Sequence, residues 1–294
     1  MVNWYTILEP RTTVVTEILF SMVNLRVMTF SVVSYDPEER KWSVGVASRY
    51  LSVGSIVPWA VAGVGCIATQ SYANYTYGPE GLELLRKNNA PEVGKMLTEA
   101  DKGREKRQLG IVDAKGNAWA YTGKECHEYA GHIARKNFSV QGNILAGPEV
   151  LESMAEEMEK PGKLEDRIMK SLFAAESKGG DRRGRQSAAI LVVSEVSGFT
   201  EGTDRYIDLR VEDSRNPLRE LNRLLGLWKA TFLDRNAVDL SIHQQEIESR
   251  IRHLGYRNLH DWLRDNSLEN SVENGKIGLV AMRILMGNEN PELP

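Results

Sequence analysis

Only two cysteines, Cys66 and Cys126, occur in the 294 residues. They are too few for a disulfide framework or a four-thiolate zinc site, a single bridge between them stays open, and a reducing interior is the default. Charge of one sign is also lacking: 37 basic against 40 acidic side chains leave a formal net charge of -3. No whole-molecule field therefore draws the chain onto nucleic acid or an anionic membrane, and any anion recognition must be local. No run reaches the roughly 18 to 20 apolar residues that span a bilayer. The leader Val14 to Val27 is interrupted by Glu17 and Asn24, and only Arg11 stands where a secretory signal places its basic region, which argues against a signal peptide. A cytoplasmic protein with neither membrane nor nucleic-acid partner is the expectation. Chemical signatures are sparse as well. There is no phosphate loop of the G-x-x-x-x-G-K type, and the lack of a G-x-S-x-G elbow removes the usual sequence argument for a serine hydrolase. Cys126, His127 and His132 fit none of the zinc spacings, so no metal and no cofactor are expected.

What is present describes an ordinary globular chain, with 41% hydrophobic and 26% charged residues and a length that allows one large domain plus an appendage. Thr29 to Tyr35 and Lys41 to Tyr50, joined by Asp36-Pro37, predict a hairpin from their β-branched residues and turn chemistry. Gly63 to Ser71 reads as a further strand; helices opened by Pro79 and Pro91 run to about Lys87 and Ala100. Arg107 to Val112, Ala118 to Thr122 and Phe138 to Leu145 are strands, followed by helices from Pro148 to Lys160 and from Leu164 to Ser177. Strands return at Ser187 to Val193 and Tyr206 to Val211. Strands then a helix pair, twice over, suit two stacked sheets with helices outside each rather than a doubly wound sheet. Beyond Asp213 only helical patterns are read. The expected division is an N-terminal extension 1–27 (propeptide, arm or misassigned start), a main domain 28–213 and a helical module 214–294.

Several polar groups interrupt this apolar pattern. Gly63-Val64-Gly65-Cys66-Ile67-Ala68 satisfies the dinucleotide fingerprint by letter, but it continues as strand with no helix N-terminus to meet a pyrophosphate, so it reads as structure. Gly179 to Ser187, containing Asp181, Arg182, Arg183 and Arg185, lies between a helix and a core strand. Glycines there permit close backbone approach, and arginine forks suit carboxylate or phosphate; a solvated basic loop weighs about equally. Gln141-Gly142-Asn143, Arg49 and Gln70 sit at or near strand ends. Singly, each is a common polar group at a strand end; together they supply amide donors and a cation suited to a substrate carboxylate or an oxyanion.

The strings Thr29-Phe30-Ser31-Val32-Val33, Val46-Ala47-Ser48-Arg49-Tyr50, Ala68-Thr69-Gln70, Tyr77-Gly78-Pro79-Glu80-Gly81-Leu82, Arg107 to Asp113, Val140-Gln141-Gly142-Asn143, Leu145-Ala146-Gly147-Pro148 and the arginine loop together match one ordered pattern. Over Met28 to Asp213 the chain resembles the bacterial and archaeal family called domain of unknown function 1028. The tail, with Leu254-Gly255-Tyr256, Trp262 and Leu263, resembles the helical module that often follows this domain and has been called peptidoglycan-binding. The resemblance implies an α+β fold, the four-layer αββα sandwich of the N-terminal nucleophile hydrolases. It also implies Thr29 as nucleophile, whose own α-amine is the base once the chain starts there. Two departures stand out: residues 1 to 28 precede Thr29, and the lysine of proteasome-type relatives has no clear counterpart, Arg49 being only a positional candidate.

The resulting expectation is an amidohydrolase acting on a small anionic amide, a non-peptide C–N bond. Thr29 is its nucleophile, Asn143 or Gln141 its oxyanion donor, and Arg49, Gln70, Asp181, Arg182 and Arg185 its substrate contacts. A noncatalytic anion-binding protein on the same scaffold and a cell-wall-associated hydrolase guided by the tail are the alternatives, and homo-oligomerisation is left open.

Overall fold

The computed structural model describes residues 26–27, 29–196, 202–233 and 236–287. The N-terminal extension other than Arg26 and Val27, and Met28, therefore lie outside the described residues. The chain begins with β1 (Arg26–Val27), β2 (Thr29–Asp36), β3 (Lys41–Ser48), β4 (Pro58–Val61) and β5 (Gly65–Tyr72), followed by α1 (Tyr77–Leu85) and α2 (Ala90–Ala100). Next come β6 (Arg107–Asp113), β7 (Ala118–Thr122), β8 (Gly131–Arg135), β9 (Phe138–Gly142), α3 (Glu149–Glu159) and α4 (Leu164–Ser177), then β10 (Ser187–Ser194) and β11 (Arg205–Val211).

The hairpin of β2 and β3 forms because Asp36 holds its own turn: Oδ1 accepts from the backbone N–H groups of Glu38 and Glu39, both at 3.0 Å, the local bonding that makes Asp a turn residue. Helix α2 starts at a capping box in which Asn89 and Glu92 satisfy each other's free N–H groups, with Pro91 in the first turn, where its missing donor costs nothing.

Two antiparallel sheets result. In one, β1 and β4 both pair with β5, which is followed by β6 and β7; in the other the order is β11-β10-β3-β2-β9-β8. Alternation along each strand sorts the side chains. Phe30 and Val32 of β2 pack outward with Leu151, Met154, Ile168 and Leu172 of α3 and α4, while Val33 points inward with Val44 and Val46 of β3 against Cys66 and Val112 of the other sheet. Ile67, Leu109 and Ile111 face away from that interior and pack on Leu82, Val93 and Leu97 of α1 and α2. The described main body is thus a helix pair, a sheet, a second sheet and a second helix pair. Gly45 lets the outer pair approach, since a Cβ there would lie 2.4 Å from Ile168 Cγ2.

The tail contains α5 (Pro217–Trp228), a π-helical turn (Lys229–Leu233), α6 (Gln244–His253), α7 (Leu259–Asp265) and α8 (Leu279–Leu285). It also holds a three-stranded sheet of β12 (Ala237–Asp239), β13 (Val272–Glu273) and β14 (Lys276–Gly278), which corrects the reading of the tail as purely helical. These strands are two or three residues long, too short for a period-two pattern to register. Ile247, Ile251, Trp262, Leu263, Ile277 and Leu285 build a separate core there. Leu218, Leu221 and Leu225 of α5 instead join the core under the larger sheet, so this helix packs on the main body.

Two strand ends also differ from expectation, and both matter for the site. β9 stops at Gly142: Asn143 still donates its N–H to Thr29 O at 3.0 Å, but Ile144 adopts φ 52° and turns the chain out of the sheet. β3 stops at Ser48, and Arg49 leaves with its N–H on Asp181 Oδ2 at 3.0 Å.

Candidate active site

The start of β2, the ends of β3, β5 and β9 and the start of β6 meet at one end of the sandwich, as the register pairs Thr29 with Ser48, Phe30 with Gly142 and Gln70 with Gln108. Thr29 is fully buried there. Its hydroxyl donates to Ser48 Oγ at 3.1 Å, and its carbonyl accepts from Asn143 N.

Behind Thr29 the gap between the sheets is filled with amides. Ser139 donates to Gln141 Oε1 (2.9 Å), Gln141 Nε2 to Ser31 Oγ (2.7 Å), Ser31 to Gln70 Oε1 (2.6 Å) and Gln70 Nε2 to Gln108 Oε1 (2.9 Å). All five side chains are inaccessible to solvent. Gly110 makes the space, since a Cβ there would stand 2.3 Å from Gln141 Oε1. The orientation of the whole chain is fixed at Gln108, whose Nε2 donates to the carbonyls of Gly142 (2.8 Å) and Gly131 (3.0 Å). A carbonyl accepts only, so the Gln108 amide cannot be reversed and its Oε1 must face its neighbours. It accepts from Asn143 Nδ2 at 2.8 Å, which fixes Asn143 in turn. Asn143 Oδ1 is left buried without a hydrogen-bond partner, a situation that costs about 1 to 3 kcal/mol for a polar group and marks a position held for a donor.

This geometry bears on the expected oxyanion donors. The Nδ2 of Asn143 and the Nε2 of Gln141 each give one hydrogen to the network, both side chains are buried, and the unpartnered atom of Asn143 is an acceptor. Gln70 likewise supports the interior, with a longer 3.4 Å contact from Nε2 to Thr29 O. Gln108 belongs to this group, where the sequence predicts only a strand position in Arg107 to Val112. Its place at the head of the apolar run Leu109 to Val112 is the signal that could have found it.

The arginine loop closes the same end of the molecule. Asp181 is buried and saturated: Oδ1 accepts from Arg183 N (2.9 Å) and Nε (3.0 Å), Oδ2 from Arg49 N (3.0 Å) and Arg183 Nη2 (2.6 Å). It ties the loop to the end of β3, and an isolated bridge from Asp181 to Leu145 ties it to the segment after β9. Asp181 is therefore a clasp whose oxygens are all taken by the protein. Arg49 Nη1 donates to Arg185 O at 3.0 Å, Arg182 donates to the carbonyl of Glu128, and Arg185 pairs with Glu176 at 2.8 Å. Burial holds the Glu176 carboxyl above its ordinary range, with Arg185 pulling the other way.

Arg182, Arg185 and Glu176 line a cleft of about 500 Å³ together with Phe30, Ser48 and Arg215. Arg215 carries no signal in the sequence that points to this place. Thr29 does not line this cleft. Phe30 opens onto it from the helix-covered face of the sheet, whereas Thr29 alternates to the inner face, so Ser48 is the residue common to the cleft and the Thr29 hydroxyl.

On the other sheet, Arg107 Nη1 donates to Tyr72 O at 2.6 Å and its Nε to Asp101 Oδ2 at 2.8 Å, and Tyr77 also donates to Asp101 at 2.9 Å. Burial opposes ionisation of Asp101, yet the bonds from Arg107, Gly103 and Tyr77 outweigh it and lower its pKa. Both cysteines are free and buried, which closes the question of a bridge between them, and burial pushes the Cys66 thiol up to about 12. Among the described residues no group of three or more His, Cys, Asp or Glu side chains is placed to hold a metal ion, and no helix is long and apolar enough to cross a membrane.

A family model described as a family of unknown function, DUF1028, matches residues 29–221. The chain belongs to the DUF1028 family. A solved structure of this family, protein SPO2555 from Silicibacter pomeroyi, is similar at a TM-score of 0.62 and 30% sequence identity, covering 69% of this chain and 89% of that one. Among curated proteins none matches. The DUF1028 match takes in Thr29, the amide network, the arginine loop and the first turns of α5, and its first matched residue is Thr29 itself.

Proposed function

We propose that this DUF1028 protein is an amide hydrolase of the N-terminal nucleophile type, with its two sheets and two helix pairs as the corresponding αββα sandwich and Thr29 as the first residue of the active chain. The observation that carries the reading is the coincidence at Thr29. It is the first residue of a central strand, it is buried and bonded through its backbone to Asn143, whose Oδ1 has no partner, and the family match begins there.

A free α-amine has a pKa of about 7.7 to 8.0 and takes a proton near neutrality, whereas the amide nitrogen of an internal Thr29 has no basicity. Release of the chain at residue 29 therefore creates the base in the same step that frees the nucleophile. Thr29 and Asn143 face each other across the β2 and β9 ladder, and N–H and C=O of one strand residue point the same way. The bond from Asn143 N to Thr29 O thus also turns the nitrogen of Thr29 toward Asn143. Asn143 Oδ1 is then the acceptor that orients the α-amine, and the network through Gln108 keeps it from turning away. The Ser48 hydroxyl, bonded to Thr29 Oγ1, aligns the nucleophile. Arg182, Arg185 and Arg215 supply the positive cleft beyond Ser48 that suits an anionic group on the substrate.

The arginine-lined cleft, which excludes Thr29, favours a second reading: a noncatalytic anion-binding protein. Kinetics separates the two. Thr29→Ala is expected to abolish amide hydrolysis while shifting the melting temperature little, and Thr29→Ser to retain partial activity. A chain opened at Thr29 should exceed the intact chain at least about tenfold, since general-base help contributes roughly 10² to 10⁴ in rate. Equal hydrolysis by both forms, with residues 1–28 still attached by intact mass, would overturn Thr29 as an N-terminal nucleophile; no hydrolysis by either form would leave the binding protein as the better account.

A further inference from the structure

The chain ahead of Thr29 is itself paired. Arg26 and Val27 form β1 and lie antiparallel to the end of β5, Arg26 opposite Tyr72 and Val27 opposite Ser71. The same edge of β5 is covered further along by β4, with Pro58 to Val61 opposite Ala68 to Gly65. The edge beyond Ala68 is thus a place where an extended strand is accepted, and Arg107 holds it by bonding Tyr72 O while anchored to Asp101.

The chemical meaning of this position rests on the reading of Thr29 as nucleophile. A substrate R–CO–NH–R′ is attacked by Thr29 Oγ; the C–N bond breaks, the proton taken up by the α-amine passes to the leaving amine, and the acyl group R–CO remains as an ester on Oγ. Water, giving its proton to the α-amine, then attacks the ester; the C–O bond breaks, Oγ recovers its proton and R–COOH leaves. The residues ahead of Thr29 are likewise an acyl group, carried on the nitrogen of that same residue. The path they take along β5 is therefore a path open to the acyl chain of the intermediate.

We infer that the substrate is an extended peptide or peptidyl amide whose acyl side adds to β5 as an antiparallel strand opposite Ser71 and Tyr72. In strand addition the main chain supplies affinity and alternate side chains supply selectivity. This extends the expectation of a small amide to one with two or more residues on its acyl side.

The test uses the full chain with a site-specific protease sequence placed immediately before Thr29 and cut after folding, with circular dichroism to verify the fold. The probe is N-acetyl-Leu-Arg-Val-Met 4-nitroanilide, which copies residues 25–28, compared with N-acetyl-Met 4-nitroanilide and with two probes N-methylated at the Arg or at the Val amide. The longer probe should be hydrolysed at least about tenfold faster in kcat/KM than the single-residue one. Only alternate residues of an antiparallel strand direct N–H at the partner, so one of the two N-methylations should cost about tenfold and the other little. Equal rates for all four probes, abolished by Thr29→Ala, would overturn the strand-addition proposal while leaving Thr29 as nucleophile. No hydrolysis of any probe and no acyl adduct on Thr29 would overturn both.

Discussion

The layer between the two large sheets has two halves of opposite chemistry. Toward the β2–β3 turn it is apolar, with Val33, Trp42, Val44, Val46, Cys66 and Val112 in mutual contact. Toward Thr29 it is built from Ser31, Gln70, Gln108, Gln141 and Asn143, equally buried but joined by directed hydrogen bonds. Apolar side chains filling the second half would be at least as stabilising, because an intramolecular hydrogen bond contributes only about 0.5 to 1.5 kcal/mol net and each missed partner is costly. The apolar half therefore accounts for the fold, and under the proposed function the amide half serves to hold Thr29 in place.

The largest effect is expected in the apolar half. Trp42 is buried, stacks on Tyr35 at 4.6 Å and donates to Asp113 O at 3.1 Å. Trp42→Ala should cost about 3 to 5 kcal/mol in urea denaturation, with activity per folded molecule unchanged. A loss under about 1 kcal/mol, well below the usual cost of emptying such a site, would mean that this half does not carry the fold.

A smaller loss, but a heavier functional one, is expected at Gln108. Gln108→Leu keeps the volume and removes the acceptor for Gln70 and Asn143 and the donor for Gly131 O and Gly142 O. The cost should be about 2 to 3 kcal/mol, since several buried groups lose partners, and hydrolysis should fall with it. A variant as stable and active as the parent would reduce the network to filler.

Asp101 tests the support of Tyr72 through pH. Its pKa is lower in the folded protein than in the unfolded chain, so its contribution is fully present at neutral pH, above the unfolded value. It is lost as pH falls through the folded value. Asp101→Asn should cost about 1 to 2 kcal/mol at neutral pH, the scale of a charge-assisted bond, and the gap to the parent should narrow in urea melts as pH falls below the ordinary carboxylate range. A gap independent of pH would show that the charge of Asp101 contributes nothing.

The fold was largely legible because its signals are periodic. The β2–β3 hairpin, both helix pairs and β10 follow from β-branched alternation, Pro and Asn at helix starts, and Asp at the turn. β4, β8 and the tail strands escape the sequence reading because they are five residues or fewer and lack the alternating aromatics, Trp119 and Tyr121, that mark the equally short β7. The site was half legible. Polar residues at strand ends identified Gln70, Gln141 and Asn143, but their hydrogen-bond directions depend on Gln108 and Gly110, which reach them from a different strand. Sequence alone also does not tell that Asp181 is satisfied by Arg183 and Arg49 while Arg215, far along the chain, enters the cleft.

The smallest expected change in stability is the most informative about mechanism. Asn143→Ala removes one bond to Gln108, whose Oε1 keeps its bond from Gln70, and removes the unpartnered Oδ1 at the same time. The two effects oppose each other, so unfolding free energy should change by less than about 1 kcal/mol. An acceptor beside the α-amine favours the protonated form, so its loss lowers the pKa of the amine. The amine acts as base only when unprotonated, and the acid limb of the pH–rate profile for a chain opened at Thr29 should move to lower pH. One hydrogen bond of about 1 kcal/mol corresponds to roughly 0.7 pH unit, and the plateau kcat should drop as the amine loses its alignment. An acid limb that stays in place, with kcat reduced, would make Asn143 a packing residue and separate the amide half of the interior from the chemistry at Thr29.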